Sequence, residues 1–298
     1  MLTIYSCEET SSRPASFNVC LDSIESRKKL SSQTMLPELT IEVLATIQIS
    51  LWSQAAQQTL RAQLKVLIQA AFPKMTSHDL EQTISWYFQQ PQNGFQRQVI
   101  LVRDLSEKLI GLALFDSGEV EFRHQRLSSI YIINNTILPV YQGYGLGQAL
   151  AAFVFSEWSP DVLLITCSQS ASLYSWTTLP EKKLIPGYVA YPSLQNKNTV
   201  KTVVLLPAMD IDLVLSCFRP LYMGIMQGDT KRVEQAVRNM TVCMLRKGCY
   251  KPMYDFDPWK KDGRSDLIAT ALGATESDGI LVVFEKLPMH NSDKRPRT

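Results

Sequence analysis

The sequence predicts an α/β fold in which a mixed, mostly antiparallel sheet with a central parallel strand pair is flanked by helices and followed by a helical insertion or C-terminal extension. Three observations predict it. Hydrophobic periodicity over residues 38–207 runs in the order β-α-α-β-β-β-loop-α. The run Ile137-Leu138-Pro139-Val140-Tyr141-Gln142-Gly143-Tyr144-Gly145-Leu146-Gly147 leads from a strand through three alternating glycines into a helix. After that helix comes Val162-Leu163-Leu164-Ile165-Thr166, apolar on both faces, as a strand covered by helices from both sides is.

Each element has its own signal. Residues 1–37 are Ser-rich, contain Pro14 and lack a sustained period, so a loosely ordered extension is expected there. Leu39, Ile41 and Val43 alternate, giving a first strand over Pro37 to Leu44. Between Ser53 and Ala71 the apolar residues Ala56, Leu60, Leu64, Leu67 and Ala71 recur at three or four, and Pro73 stops the helix. A second helix starts at Ser77, whose side chain can cap it, with Leu80, Ile84 and Phe88 on one face. Gln98 to Arg103 and Leu109 to Phe115 form a hairpin across Asp104 to Lys108. Ser117-Gly118 breaks the chain before a longer strand, Ser129 to Leu138. The helix after the glycines presents Leu146, Ala149, Leu150, Phe153 and Val154 and stops at Ser159-Pro160.

The last third departs from this core. Val200 to Leu206 is a strand, Asp210 to Met223 and Asp229 to Arg246 are helices, and the stretch around Asp255 to Asp266 is polar and loop-like. Gly279 to Glu285 is again a buried-type strand, which needs a sheet to pair with. The expected organisation is therefore a helical insertion over 208–278, a final core strand over 279–287 and a basic tail over 288–298.

Composition limits the function classes. With 298 residues, 45% of them hydrophobic, the chain can bury a full core. Thirty Lys and Arg against 28 Asp and Glu leave no electrostatic case for wrapping nucleic acid. No run approaches a membrane helix in length and Met1-Leu2-Thr3-Ile4-Tyr5 has no basic n-region, so neither a membrane span nor a secretory signal is expected. The six cysteines include no C-x-x-C pair, and reduced thiols in a cytoplasmic protein are the expectation.

The glycine run carries the chemistry. Glycine admits positive φ and lets a ligand approach the amide N–H groups. The first turn of a helix adds unpaired donors and a positive dipole end. A pyrophosphate on a nucleotide is the natural guest. A Walker A loop needs Lys then Ser or Thr after its last glycine, where Gln148 and Ala149 stand. A dinucleotide fingerprint needs G-x-G-x-x-G in an early βαβ unit, whereas the glycines here are spaced G-x-G-x-G in mid-chain. The pattern Q/R-x-x-G-x-G/A does fit, as Gln142-Gly143-Tyr144-Gly145-Leu146-Gly147. With Ile137, Pro139 and Tyr141 ahead of it, the run resembles the acetyl-coenzyme A pyrophosphate loop of the Gcn5-related N-acetyltransferase (GNAT) family.

The resemblance implies a GNAT-like sheet whose central parallel strands splay apart, with the pantetheine arm of acetyl-CoA in the gap. The thioester would lie beside Ile137 and Leu138, whose outward N–H groups would hold its carbonyl oxygen. Gln142 to Gln148 would cradle the pyrophosphate, and Ser170 or Gln169 would stand in for the family's pantetheine-bonding Asn. Tyr174, preceded by Leu173, matches the family's tyrosine that protonates the leaving thiolate. A phenol of pKa ~10 suits a thiolate of comparable basicity. The implied activity is acetyl transfer from acetyl-CoA, as cosubstrate, to a primary amine by direct attack, without a metal.

For the general base the residues offer Glu119 and Glu121, on one face by alternation and near Asp116, with His124 as a second choice and a solvated hairpin edge as the competing reading. His78 and His290 have no partner that recommends them. Trp86, Tyr87 and Phe88 line an acceptor pocket or simply pack in the core. The amine acceptor is not legible. The alternative from another class is a non-catalytic acyl-CoA-binding or protein-interaction module with a degenerate GNAT fold. In either case the 208–278 helices are the expected surface for a homodimer or protein partner.

Overall fold

The computed structural model describes residues 2–6, 39–91, 94–167, 169–197, 200–205, 211–225, 231, 234, 240–241, 244–245, 264–275 and 278–287. In chain order these form β1 (Leu2–Ser6), β2 (Leu39–Ala45), α1 (Thr46–Ser50), α2 (Gln54–Ala71), α3 (Ser77–Trp86), β3 (Gln96–Asp104), β4 (Leu109–Phe122) and β5 (Gln125–Ile137). Then come α4 (Leu146–Trp158), β6 (Val162–Cys167), α5 (Ser170–Thr177), β7 (Tyr188–Tyr191), β8 (Ser193–Lys197) and β9 (Val200–Val204). The remaining elements are α6 (Ile211–Ile225), β10 (Met240–Thr241), β11 (Met244–Leu245), α7 (Ser265–Leu272) and β12 (Gly279–Lys286). The expected basic tail, most of the stretch between 226 and 263, and His290 lie outside the described residues.

The main sheet runs β1-β2-β3-β4-β5-β6-β12-β11-β10, with β7 also paired to β12. All its pairings are antiparallel except β1 with β2 and, at the centre, β5 with β6. This is the mixed, mostly antiparallel α/β architecture that the element order and the family resemblance lead us to expect. Helices cover both faces. Arg97 of β3 donates to the Trp86 carbonyl of α3, and Tyr131 of β5 packs on Phe218 and Tyr222 of α6, which sets α3 and α6 on one face. Phe115 of β4 meets Trp158 edge-on from the opposite side, the face of α4.

Local chemistry explains the helix bounds. Ser53 caps α2 by accepting from the Ala56 N–H at 3.3 Å, and Leu60, Leu64, Leu67 and Ile68 form its buried face. Thr76, rather than the expected Ser77, caps α3: its hydroxyl accepts from the Asp79 N–H at 3.2 Å. In α4, Leu146 and every residue from Ala149 to Phe155 are buried, so the helix is apolar all round, as a helix enclosed by its neighbours must be.

Four details differ from the sequence expectation. Ser117-Gly118 does not break the chain; β4 continues to Phe122 and turns at Arg123 and His124, both at positive φ. Gly118 serves close packing instead, since a Cβ there would stand 2.2 Å from Cδ1 of Phe95. The helix expected to run on to Arg246 is replaced at Met240–Thr241 and Met244–Leu245 by strands that pair with each other, the second of them also with β12. Tertiary pairing there overrides a helical pattern. Arg264 and Ser265, expected in a loop, begin α7. Finally, among the described residues β9 pairs with β8 alone, in a separate two-stranded sheet, and β12 lies beside β6.

Candidate active site

The site begins as an interruption of strand pairing. From Phe122↔Gln125 to Phe115↔Ile132 the β4–β5 ladder is regular, and it resumes one residue later at Leu114↔Asn134. Ile133 therefore has no partner on β4. Such a bulge bends its strand and increases the local twist. The parallel ladder to β6 covers Ser129↔Val162 to Ile132↔Ile165 and ends at the same point. Beyond Ile132 the two strands part, so the fork opens where the bulge lies. At its base Tyr131 Oη and Thr166 Oγ1 are 2.6 Å apart, bridging the strands just before they separate.

Downstream, β5, which there pairs with β4 alone among the described residues, leads to the glycines. Pro139–Tyr141 makes one tight turn, and Gln142 folds back so that Nε2 donates to the Ile137 carbonyl at 2.9 Å. Gly143 and Gly145 have φ of 82° and 85°, conformations that a side chain strongly disfavours. Gly145 is the N-cap of α4, and no side chain caps that helix. The Ala149 N–H closes the first turn, donating to the Gly145 carbonyl at 2.9 Å. The amides of Leu146, Gly147 and Gln148 thus make the donor end of α4, where its dipole is positive. At Gly147 a Cβ would come no nearer than 4.0 Å to Ile137, so the helix start leaves space toward β5. Asn135, on the facing strand, donates weakly to the Gly147 carbonyl at 3.5 Å, and its buried Oδ1 has no partner. Glycines at positive φ and a helix start without a side-chain cap fit a phosphate, while the orphaned Asn135 oxygen is an acceptor that suits an N–H or O–H donor elsewhere on a ligand.

On the other arm of the fork, α5 follows β6. Ser170 opens it and is buried, its carbonyl accepting from the Ser265 hydroxyl at 3.1 Å. Leu173 is fully buried, whereas Tyr174 is 43% exposed. Gln148 ties the two helices together, since Nε2 donates to the Ser175 carbonyl at 3.1 Å and to the Thr178 hydroxyl at 3.0 Å. Lys182 donates to Gln148 Oε1 at 2.8 Å and holds its ammonium 5.5 Å from the Tyr174 ring centre. Gln148, one residue past the last glycine of the loop, and Lys182 thus link α4 to the helix that carries Tyr174. Burial pushes the Cys167 thiol at the end of β6 up to about 12, so it stays protonated and is a poor nucleophile.

Other expected residues are elsewhere. Leu138 cannot offer its amide to the gap, because its N–H donates to the Ile110 carbonyl at 2.9 Å. Successive amides of a strand point to opposite edges, so Ile137 and Leu138 cannot both face one ligand. Glu119 is paired with Ser128 and Glu121 with Arg126, at the hairpin end of β5. At about 3.3 Å per residue they stand roughly 16 and 23 Å along the strand from Ile133. Both are exposed, and Glu119 lines a separate cleft of about 480 Å³ with Ser117, Ser128 and Trp158. His124 sits in the hairpin turn itself. Asp116 is buried and held by Arg97 through two bonds of 2.7 Å; burial pushes its carboxyl up while the guanidinium opposes the shift. Trp86 and Tyr87 are buried, and Phe88 lies under Arg61, so the three do not line an open pocket.

No family model matches the sequence, and no curated protein matches it. Solved structures do resemble the chain. One, described as histone acetyltransferase HPA2 and related acetyltransferase from Corynebacterium glutamicum, is 14% identical, with 56% of this chain and 97% of that one covered and a TM-score of 0.34. The GNAT-family N-acetyltransferase YhbS from Escherichia coli, in complex with CoA, is 15% identical over 48% and 71% of the two chains, at 0.30. An aminoglycoside acetyltransferase from an uncultured soil metagenomic sample, in complex with sisomicin, is 20% identical over 41% and 70%, at 0.29. Many of the similar structures are GNAT-family acetyltransferases.

Ile133, Asn135 and Lys182 are functional candidates that sequence reasoning missed. A bulge leaves no trace in an apolar run, and a single Asn or Lys carries no spacing.

Proposed function

We propose that the chain is an acetyl-CoA-dependent N-acetyltransferase that transfers the acetyl group to a primary amine, with residues 38–207 and β12 as its cofactor-binding core. One observation carries this reading: the fork at Ile133 runs directly into two positive-φ glycines and an uncapped helix start. A long ligand with a pyrophosphate at one end and a hydrogen-bonding arm at the other suits that track, and CoA is such a ligand.

In this reading the amides from Gly143 to Gln148 hold the pyrophosphate, while Gln142 fixes the loop on β5. The arm lies along the unpaired edge of β5, with Ile137 on that edge and Ser170 across from it. The Ile133 amide, rather than that of Leu138, receives the thioester oxygen as charge develops on it. The amine nitrogen bonds to the carbonyl carbon and the C–S bond breaks. The sulfur takes the phenolic proton of Tyr174, which regains one from water, and the amine releases its proton to water. Glu119 and Glu121 take no part. Their distance from the fork is also what favours the second reading, a CoA-binding module without turnover. The cysteine pattern suits a reduced, cytoplasmic setting.

Thermal shift with acetyl-CoA, CoA, ATP and NAD tests the reading. A ligand at 100 times its Kd should raise the melting temperature by about 5 °C. Both CoA forms should do so on the wild type and ATP and NAD should not. Stabilisation by ATP or NAD alone contradicts the cofactor assignment. CoA binding with no thiol release across a panel of primary amines favours the module.

A further inference from the structure

The start of α7 is fastened to both ends of the helix that carries Tyr174. Ser265 donates its hydroxyl to the Ser170 carbonyl at the first turn of α5, at 3.1 Å. Arg264 reaches the last turn, where Nη1 donates to the Thr177 carbonyl and hydroxyl, both at 3.1 Å. Its other terminal nitrogen donates to both carboxylate oxygens of Glu181. The Arg264 side chain is only 11% exposed, and its guanidinium carbon lies 6.0 Å from the centre of the Tyr174 ring. Lys182 lies 5.5 Å from the same centre. Both distances are within the range at which a cation is held by an aromatic face. A half-exposed tyrosine on a helix of 8 residues thus has two cations near its ring, one of them delivered from 87 residues beyond Thr177.

Nothing about packing alone requires an arginine there. Apolar cover would hold α5 without desolvating a guanidinium, which is costly unless its donors are all engaged. Here the planar fork spends donors on Thr177 and on the carboxylate of Glu181 while its carbon stands 6.0 Å from the ring centre, a combination that Lys cannot reproduce.

We propose that Arg264 is a positioning residue: it fixes the last turn of α5 and the ring of Tyr174, so that the phenol is aimed at the sulfur leaving in the fork. The inference rests on the acetyltransferase reading and on Tyr174 as its acid. In the transfer step the C–N bond forms, the C–S bond breaks and the phenolic proton passes to sulfur. Arg264 touches none of these atoms and acts only through the tyrosine.

A double-mutant cycle on turnover separates this role from a structural one. Arg264→Ala, Tyr174→Phe and their combination are compared for CoA binding by calorimetry and for thiol release from acetyl-CoA with the best amine of the panel. Tyr174→Phe should cost about 100-fold in kcat. Arg264→Ala should cost between about 10- and 100-fold in the wild type, with KM for acetyl-CoA within about twofold. In the Tyr174→Phe background the same substitution should cost less than about twofold. If Arg264→Ala does not fold, Arg264→Lys replaces it, with a smaller loss in the wild type and again none in the Tyr174→Phe background. An equal factor in both backgrounds overturns the proposal and makes Arg264 structural. Absence of CoA binding by the wild type overturns the cofactor reading instead, and an unaffected Tyr174→Phe overturns the acid assignment and the proposal with it.

Discussion

The two halves of β5 have nearly the same composition of aliphatic and polar residues but opposite lives. From Gln125 to Ile132 the strand is bonded to β4, and its last four residues there are bonded to β6 as well. Past the unpartnered Ile133, from Asn134 to Ile137, it has β4 alone among the described residues. The first half is consumed by the fold: Asp116, opposite Tyr131, is locked to Arg97 in the interior. The second half keeps one edge open, and that edge ends at the glycine loop. The proposed function thus uses the place where backbone pairing is withdrawn rather than one where polar side chains are concentrated.

The helix starts repeat the contrast. Ser53 and Thr76 cap α2 and α3 with their own hydroxyls, whereas α4 begins at a left-handed glycine with no side-chain cap. In two helices a side chain takes one first-turn N–H, and in the third no side chain does, which in the proposed reading leaves that turn to the pyrophosphate.

The largest expected effect tests the locked half. Asp116→Ala leaves the Arg97 guanidinium buried without its partner and should cost about 3–5 kcal/mol in urea denaturation. The folded fraction should still bind CoA with unchanged affinity. A specific loss of CoA affinity would mean that the two halves are not independent.

Gly145→Glu attacks the open half through the loop. Its carboxylate and its strain at positive φ should weaken CoA by about 100-fold, or about 2.7 kcal/mol by calorimetry. Deleting Ile133 is subtler, because the strand partners on either side of it stay the same. The fold should survive, the fork should zip further, and CoA should bind about tenfold more weakly. Undiminished affinity would mean that the bulge is incidental. Smallest of all is Glu119→Gln, which should change acetyl transfer by less than about twofold, since the carboxylate is roughly 16 Å along the strand from the fork. A large loss would return that residue to the mechanism.

Much of this was legible in the sequence, for a physical reason. Elements with strong periodicity, such as Leu60-Leu64-Leu67 or the apolar run Val162 to Ile165, declare themselves locally, and so does a glycine run whose φ angles no other residue adopts readily. The splay of the parallel pair is expected from the resemblance, but the bulge at Ile133 was not legible, because it depends on which residues β4 presents, not on Ile133 itself. The same holds for Arg264, whose partners Thr177 and Glu181 are far upstream. For Glu119 and Glu121 the alternation gives a face but not a distance along the strand, which only the register supplies.

The central claim is tested most directly by amide hydrogen exchange with and without CoA. Protection should appear at residues 133–137 and 143–148 and leave residues 117–130 unchanged. Protection confined to the hairpin end, or none at the glycine loop, would contradict the account.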